Sequence, residues 1–311
     1  MNEVKIFHSS KSFAWRKRKP IVALGNFDGV HLAHRKMFSL ARSAAKKAGG
    51  VSVAYTFHPH PVKVLARKSA PLLINTLDQR LELIAETGID AAVVEPFDLK
   101  FAHLTGAEWF DKVILKNLNA AGVVAGYDFT FGTHRSGTVE TLERLCRERG
   151  IDCRILEAQL RGETLISSSQ VRDFIGKGEV GLAAELLGRW FFIDGSVVAG
   201  AGRGVQLGIR TANLKTENEL IPLGGVYATW TELGKKRYRS VTNIGMNPTF
   251  GGRTLSIETH ILKFKRDIYG KTLRLHFVRR LRPERSFTGP GELIQQIHKD
   301  VAAAHETLKV K

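Results

Sequence analysis

Cysteine and long apolar runs are scarce in this sequence, and both shortages exclude whole classes of protein. Only Cys146 and Cys153 occur among 311 residues, too few for a disulfide framework or a cysteine-based zinc site. No stretch approaches the roughly 18 consecutive apolar residues of a membrane-spanning helix. The first twenty residues lack the apolar segment of a secretory signal. These absences predict a cytoplasmic protein with no membrane partner.

Acidic residues are also scarce. The sequence has 30 Asp and Glu against 47 Lys and Arg, which gives a formal net charge of +17. This excess favours anionic partners such as ATP, phosphorylated small molecules or nucleic acid, and does not select among them. The basic residues are spread along the chain, with short clusters at 16–19 and 235–239. A solvated basic surface and a dedicated nucleic-acid face therefore both stay open.

The apolar pattern changes character once along a chain that is long enough for two domains. Up to about residue 187, short apolar runs alternate with helical patterns, which is typical of a mainly parallel α/β sheet. The candidate strands are residues 21–27, 51–57, 91–96, 122–127 and 153–157. The first helix is predicted over 32–48, where Gly49 and Gly50 form a typical stop.

Beyond Gly188, closely spaced strand patterns and glycine-rich turns replace the helices, which indicates an all-β barrel. The candidate strands are residues 190–198, 226–233, 237–243, 254–263 and 272–279. A final helix over 292–308 carries an apolar stripe that would pack on the barrel. The sequence therefore predicts an α/β domain over 1–187 and a barrel domain with a C-terminal helix over 188–311.

A strand-to-helix turn over residues 25–34, GNFDGVHLAH, has the features of a phosphate-binding site. Its glycines let the backbone approach a ligand, and the following helix N-terminus offers unpaired N–H groups. His31 and His34 are three residues apart, so both imidazoles lie on one face and can donate to phosphate oxygens. A tight turn with two surface histidines is the alternative interpretation. The candidate phosphate-binding residues of this turn are Gly25, Asn26, Phe27 and Gly29.

A second candidate phosphate segment is ISSSQVR, residues 166–172, at a predicted loop-to-helix transition. The hydroxyls of Ser167, Ser168 and Ser169 and the guanidinium of Arg172 would bind a phosphate chain from the opposite side. Serine N-caps followed by a surface arginine are the alternative.

The barrel domain contains a third candidate, the glycine-rich turn at 200–204 followed by residues 208–213, GIRTAN. Flexible backbone at Gly202 and Gly204, with the side chains of Thr211 and Asn213, can hold nucleotide phosphates and a magnesium ion. An ordinary barrel turn is the alternative.

These motifs, in this order, resemble those of the bacterial bifunctional riboflavin kinase/FAD synthetase family over essentially the whole chain. GNFDGVHLAH resembles the His-x-Gly-His signature of nucleotidyltransferases, and ISSSQVR resembles their Ser-Ser-x-x-x-Arg motif. Residues 56–61, TFHPHP, and 126–132, GYDFTFG, are similar to the flavin-side motifs of the family. The flavin-binding residues that this resemblance implies are Phe57, Pro59, His60, Pro61, Asp128 and Phe129.

In the barrel, residues 208–213 resemble the family's Gly-x-Pro-Thr-Ala-Asn motif, which implies that Thr211 and Asn213 act at ATP and Mg²⁺. Glu258 resembles the family's catalytic base, and a carboxylate suits a reaction in which a hydroxyl loses its proton while attacking phosphorus. A strand glutamate facing solvent is the alternative for Glu258. The sequence departs from the family where Ala33 replaces glycine, His58 replaces an acidic residue and Arg210 replaces proline.

The resemblance implies two ATP-dependent reactions, with riboflavin, FMN, FAD and ATP as ligands and Mg²⁺ as the cofactor. The barrel would phosphorylate riboflavin to FMN with Glu258 as base. A Rossmann-like nucleotidyltransferase domain would adenylylate FMN to FAD with His31, His34 and Arg172.

Three alternatives stay open. The first is an enzyme with only one of the two activities, of which the adenylyltransferase is favoured. The second is a nucleotidyltransferase that acts on another phosphate ester. The third is a nucleic-acid-binding protein, which the lack of an aromatic-rich basic motif disfavours. Homo-oligomerisation is left undetermined.

Overall fold

A computed structural model of the chain describes residues 4–199, 209–249 and 252–309. They fall into two units that divide between Ser167 and Ser168. Among these residues, no helix combines the length and the apolar character needed to cross a membrane.

A six-stranded parallel sheet forms the centre of the first unit, in the order β1-β4-β3-β2-β5-β6. The central strands are almost wholly buried, as expected for a parallel sheet covered on both faces. The strands are β1 (Lys5–Phe7), β2 (Pro20–Leu24), β3 (Val51–His58), β4 (Ala91–Pro96), β5 (Gly122–Gly126) and β6 (Asp152–Leu156). A small hairpin follows, of β7 (Leu160–Arg161) and β8 (Thr164–Leu165).

Helices connect these strands. The helices of the first unit are α1 (Leu32–Ala48), α2 (Pro61–Leu65), α3 (Leu77–Glu86), α4 (Leu99–Ala102), α5 (Gly106–Trp109), which continues as a π-type helix over Phe110–Asn117, and α6 (Val139–Glu148). Short 3-10 turns lie at Ser10–Ser12, Arg16–Arg18, Arg67–Ser69 and Thr133–Arg135. Helix α1 has the predicted bounds, and it ends where Gly49 adopts a left-handed φ of 61°.

The five strands predicted for this unit are all present. The main differences from the prediction are the end of β2 and the three short strands β1, β7 and β8, which the prediction lacks. β2 ends at Leu24 because the chain turns at Gly25, whose N–H donates to the Tyr55 carbonyl of β3 at 3.2 Å. β1 is absent from the prediction, since its three residues are too few to show an alternating pattern.

The second unit begins with α7 (Ser168–Gly176) and α8 (Val180–Leu187) and continues as a closed antiparallel barrel in the order β10-β13-β12-β11-β14-β9. The barrel strands are β9 (Phe191–Val198), β10 (Ala212–Thr216), β11 (Gly225–Leu233), β12 (Lys236–Thr249), β13 (Gly252–Ile261) and β14 (Thr272–Arg282). The last helix is α9 (Pro290–Thr307). The predicted fold class is confirmed. The functional boundary between residues 187 and 188 stays a prediction.

Helix α9 covers part of the outer face of the barrel. Ala304 and Leu308 form one apolar cluster with Val226, Ala228 and Val241 of β11 and β12. The predicted apolar stripe of this helix therefore packs on the barrel, as expected.

A buried ion pair fastens α9 to β14. The Asp300 carboxylate accepts hydrogen bonds from Arg282 Nε to Oδ1 at 3.0 Å and from Arg282 Nη2 to Oδ2 at 2.8 Å. Gln296 Nε2 donates to the same Oδ1 at 2.7 Å. Asp300 is only 5% exposed, so these side-chain donors replace nearly all of the contacts that its carboxylate would make with water.

Candidate active sites

The turn between β2 and α1 lies where the strand order of the first sheet reverses. From β2 the chain proceeds to β3 and β4 on one side, and then crosses to β5 and β6 on the other. In open α/β sheets, ligands bind in the crevice beyond the carboxyl ends of the strands at this switch point. Gly25 follows β2 and Gly126 ends β5, so both of the motifs that begin there start at the crevice.

The backbone of this turn follows an unusual path. Phe27, Gly29 and Val30 have φ values of 53°, 84° and 39°, and only glycine adopts such values without a steric cost. The fully buried Phe27 ring packs on Phe38 with ring centroids 4.6 Å apart. The ring therefore anchors the turn in the core, and Phe27 as a whole, at 0% exposure, has no surface to offer a ligand.

Two histidines occupy the start of α1. His31 is the N-cap, and its Nδ1 accepts a hydrogen bond from the His34 backbone N–H at 3.4 Å. The two rings stack with centroids 3.5 Å apart and planes at 17°. In a neutral imidazole whose Nδ1 accepts, the proton is on Nε2. The capping bond thus favours the His31 tautomer that has a donor at Nε2, as a phosphate contact requires.

The Asp28 carboxylate lies buried behind the turn. It is 2% exposed and accepts hydrogen bonds from the backbone N–H of Ile74 at 3.1 Å and of Asn75 at 3.3 Å. These bonds join the turn to the segment that precedes α3.

Arg80 of α3 forms a second connection to the turn, in which α3 supplies the hydrogen-bond donor. Its Nη1 donates to the Asn26 carbonyl at 2.8 Å and its Nη2 donates to the Phe57 carbonyl at 2.9 Å. Burial lowers the pKa of Arg80, and the negative charge of Asp28 opposes that shift. A guanidinium nevertheless stays protonated in proteins. Arg80, at 4% exposure, is therefore a buried cation that contacts both the turn and the end of β3.

The predicted flavin residue Phe57 belongs to an aromatic group at the end of β3. Its ring centroid lies 5.3 Å from that of Tyr55, 5.5 Å from Phe97 and 6.0 Å from Phe101. Phe57 itself is half-buried. A partly exposed aromatic wall next to the crevice suits a flat apolar ring system.

The next predicted flavin residues also build helix α2. His60 is buried and caps this helix, with its Nδ1 accepting from the Val62 N–H at 3.3 Å. Pro61 is the first helical residue, a position where its missing N–H costs nothing. Pro59 is exposed. Of the three, Pro59 has the most surface to offer a ligand.

His58, where the family resemblance leads us to expect an acidic residue, is exposed. Partial burial lowers its pKa, and the positive charges of Arg80 and Lys63 lower it further. The imidazole is therefore uncharged at neutral pH, and this edge of the crevice carries no charge from residue 58.

The other flavin-side segment follows β5. Asp128 is exposed, whereas Phe129 is half-buried and stacks on Phe131 with centroids 5.7 Å apart. β3 and β5 are the two neighbours of β2 in the sheet. The structure thus places the phosphate turn between the two predicted flavin segments.

The serine-rich segment lies at the junction of the two units. Ser167 ends the first unit and α7 begins at Ser168, so the expected loop-to-helix transition is present. Ser168 and Arg172 are half-buried and Ser169 is exposed. A joint role of this segment with His31 at one phosphate chain stays a prediction.

Three polar side chains line up across the barrel, and we call Asn213, Glu258 and Asn243 the polar row. Asn213 of β10 is directly opposite Glu258 of β13, which is directly opposite Asn243 of β12. Residues paired in this way project to the same face with Cβ atoms about 4.5–5.5 Å apart. The neighbours of Glu258, Ile257 and Thr259, are buried, so the half-buried row faces outward.

Thr211, the remaining predicted ATP residue of the barrel that the structure describes, lies next to one end of the row. Thr211 is exposed and directly precedes β10. The ring N–H of His260 at Nδ1 donates to the carbonyl of Arg210 at 2.8 Å. Proline has this carbonyl as well, so the contact is independent of the replacement at residue 210. Gly202 and Gly204 lie outside the described residues.

The oxygen donors at this end of the barrel fit Mg²⁺. The amide oxygen of Asn213, the hydroxyl of Thr211 and the carboxylate of Glu258 are the hard ligands that this ion prefers. No cluster of three or more His, Cys, Asp or Glu suited to a metal occurs in the described ranges. Mg²⁺ commonly uses one or two protein ligands together with substrate phosphates, and the residues present match that mode.

Arg80, Asp28 and Asn243 are the site residues that the sequence patterns missed. Arg80 lies on the face of α3 that also buries Leu83 and Ile84. A charged residue on the apolar face of a helix is the one feature of the sequence that could have indicated its role. Asn243 falls in a segment that resembles the family, but only strand register aligns it with Glu258.

Comparisons with known proteins cover both units. The family models for FAD synthetase and riboflavin kinase match residues 14–170 and 187–308. A bifunctional riboflavin kinase/FMN adenylyltransferase of Bacillus subtilis is 37% identical over 96% of this chain and 96% of its own. The Escherichia coli K12 protein described by the same words is 33% identical over 92% of each chain. A crystal structure described as a macrolide-efflux protein from Streptococcus pneumoniae has a TM-score of 0.88 at 30% identity, covering 97% of this chain and 99% of that one.

Proposed function

The chain belongs to the family of bifunctional riboflavin kinase/FMN adenylyltransferases, and from this membership we propose that each unit holds one of the two active sites. ATP and a flavin are the substrates of both reactions. One observation supports the division: the turn at the switch point and the polar row lie in different units, and each falls within the family model of the matching activity.

In the first unit, a phosphate oxygen of FMN attacks the α-phosphorus of ATP. The new oxygen–phosphorus bond forms as the bond to pyrophosphate breaks, and the product is FAD. The nucleophile is already an anion, so the site needs no general base, and positioning and charge stabilisation supply the catalysis.

The residues of the turn have the donors that this reaction needs. His31 and His34 donate to the phosphates of ATP at the N-terminus of α1, where the helix dipole also favours negative charge. Gly25 is half-buried and leaves some backbone accessible, whereas the buried Gly29 contributes the left-handed φ of 84° that shapes the turn. Ser167, the last residue of the first unit, adds a hydroxyl donor from the second phosphate segment. The aromatic surfaces of Phe57 and Phe129 hold the flavin ring.

In the second unit, a hydroxyl of riboflavin attacks the γ-phosphorus of ATP. The bond to ADP breaks, and Glu258 accepts the hydroxyl proton, a contribution typically worth about 10²–10⁴-fold in rate. Asn213 and Asn243 flank this carboxylate on the same outward face and orient the substrates. Thr211 and Asn213 hold Mg²⁺, which when bound offsets the negative charge of the phosphates.

Chromatography of the flavins formed from riboflavin, ATP and Mg²⁺ tests this division. Wild type is expected to form FMN and then FAD. Glu258→Gln, which keeps the side-chain shape, is expected to stop FMN formation and still convert supplied FMN to FAD. His31→Asn is expected to accumulate FMN, and asparagine retains a good helix N-cap. Loss of both activities in either variant would contradict the two-site division, and FMN without FAD in wild type would remove the second activity.

The geometry at residue 210 supports two activities over a single one. The Arg210 carbonyl accepts from His260, a bond that proline would make equally well, so this link between residue 210 and the strand of Glu258 does not depend on the replacement. A cytoplasmic location stays a prediction from the composition.

A further inference from the structure

The fork of Arg80 joins the two sides of the proposed adenylyl-transfer site. It donates to Asn26 in the turn on the ATP side, and it donates to Phe57 at the end of β3 on the flavin side. We infer that Arg80 is a positioning residue for FMN adenylylation, which fixes the spacing between the ATP turn and the flavin wall. The inference rests on the function proposed for the first unit.

The burial of Arg80 indicates a directed role beyond packing. Helix α3 already buries Leu81, Leu83 and Ile84 against the unit. An apolar residue at position 80 would add to that packing, whereas a guanidinium costs free energy to bury unless its N–H groups are bonded. At 4% exposure, Arg80 offsets part of this cost with two bonds of 2.8 and 2.9 Å to carbonyls of two separate segments. Its buried Nε–H has no hydrogen-bond partner among the described residues.

The carbonyl of Asn26 is held from two directions. Besides Arg80, the hydroxyl of Thr56 donates to it at 3.0 Å. Two residues further along the turn, Asp28 accepts from the backbone of Ile74 and Asn75. The turn is therefore tied to the Ile74–Arg80 stretch on both sides of residue 27. Arg80 extends this connection to the Phe57 carbonyl, next to Thr56 on β3.

The proposed reaction makes this spacing important. Adenylyl transfer between two bound substrates depends on aligning the FMN phosphate with the α-phosphorus, and a displacement of about 1 Å costs about 100-fold in rate. Arginine suits the task because its planar fork presents several N–H groups in fixed directions. Lysine has a single charged nitrogen on a flexible stem and would not hold both carbonyls in the same geometry.

The test uses Arg80→Met and Arg80→Lys in the full chain, with Arg42→Met as the matched control. Arg42 also donates to a backbone carbonyl, that of Thr87 at 2.8 Å, but at the opposite end of α3. Values of kcat and KM are measured for FAD formation from FMN and for FMN formation from riboflavin. The temperature is chosen from thermal melts so that each variant is fully folded.

Arg80→Met is expected to lower kcat/KM for FAD formation by about 100-fold, with a fall in kcat itself because the substrates bind misaligned. Arg80→Lys should give an intermediate loss. Riboflavin phosphorylation should stay at the wild-type rate in both variants, and Arg42→Met should leave both activities unchanged.

A purely structural role would lower Tm and leave kcat per folded molecule unchanged, and that result would overturn the inference. If Arg80→Met does not fold, Arg80→Lys decides the question, because a wild-type kcat for FAD formation in that variant contradicts the need for the fork. A wild-type enzyme that forms no FAD would instead refute the proposed function, a result distinct from normal FAD formation in the Arg80 variants.

Discussion

Replacing Asp300 with asparagine should detach α9 from the barrel. The carboxylate accepts bonds from two nitrogens of Arg282 and from Gln296, and it is 5% exposed. Removing one partner of a buried ion pair typically costs about 3–5 kcal/mol, because the other charge stays buried without compensation. The Arg282 side chain is 18% exposed, so water can replace part of the lost interaction. We therefore expect a loss near the lower limit, about 3 kcal/mol.

Urea unfolding followed by tryptophan fluorescence measures this loss. Trp230, which packs on the cluster beneath α9, is one of the four tryptophans that contribute to the signal. Glu306→Gln is the control, since Glu306 forms an exposed pair with Lys309 at the end of the same helix, and such pairs contribute little. The control should keep the wild-type unfolding midpoint. A loss in Asp300→Asn of less than about 1 kcal/mol, the size of an exposed pair, would refute the reasoning. Riboflavin phosphorylation should fall with the barrel, and FAD formation from FMN should not.

Two further predictions concern pH and the nucleotide. Burial lowers the pKa of His276, and the charges of Arg237 and Arg274 lower it further, whereas Glu232 opposes the shift. The native state therefore disfavours protonation of this histidine. We expect the free energy of unfolding to fall as the pH drops below about 6.5. His276→Gln should make the free energy of unfolding depend less on pH between pH 7 and 5. Glu232 stays ionised over this range, because its pKa is lowered. An unchanged dependence of the unfolding free energy on pH, measured by urea titrations, would contradict the prediction. Ala33→Gly should lower the KM for ATP in FAD formation several-fold if the methyl group hinders adenine. The same change should lower the stability of the helix by up to about 1 kcal/mol. An equal or higher KM would show that the methyl group does not hinder adenine.

The parts of the fold that follow from local pattern could be predicted from the sequence. β3 and β4 are mainly apolar and almost wholly buried because both faces of the sheet are covered, and α1 ends where Gly49 supplies the left-handed stop. The phosphate turn also follows from local information, since a glycine turn and two histidines at a helix N-terminus have the same meaning in any surrounding structure.

The parts that depend on distant partners could not be predicted. β10 is absent from the predicted strands, because its sequence, ANLKT, has one buried apolar residue, Leu214. It becomes a strand through pairing with β9 and β13. Asn243 and Asn213 join Glu258 in one row only through the register of three strands. Arg80 was missed because its two acceptors lie 54 and 23 residues away, and helical periodicity gives no information about such bonds.

The placement of carboxylates distinguishes the two proposed sites. An FMN phosphate that attacks ATP is already negative, so a carboxylate in its path would repel it. In the phosphate turn the single carboxylate, Asp28, is buried behind the backbone and held by the N–H groups of Ile74 and Asn75, away from any ligand at the helix N-terminus. A riboflavin hydroxyl is neutral and must lose a proton, and in the barrel the carboxylate of Glu258 is half-buried on the outward face between two amides. The phosphate turn thus keeps its carboxylate behind the backbone, whereas the polar row presents one on the outward face, where a hydroxyl can reach it.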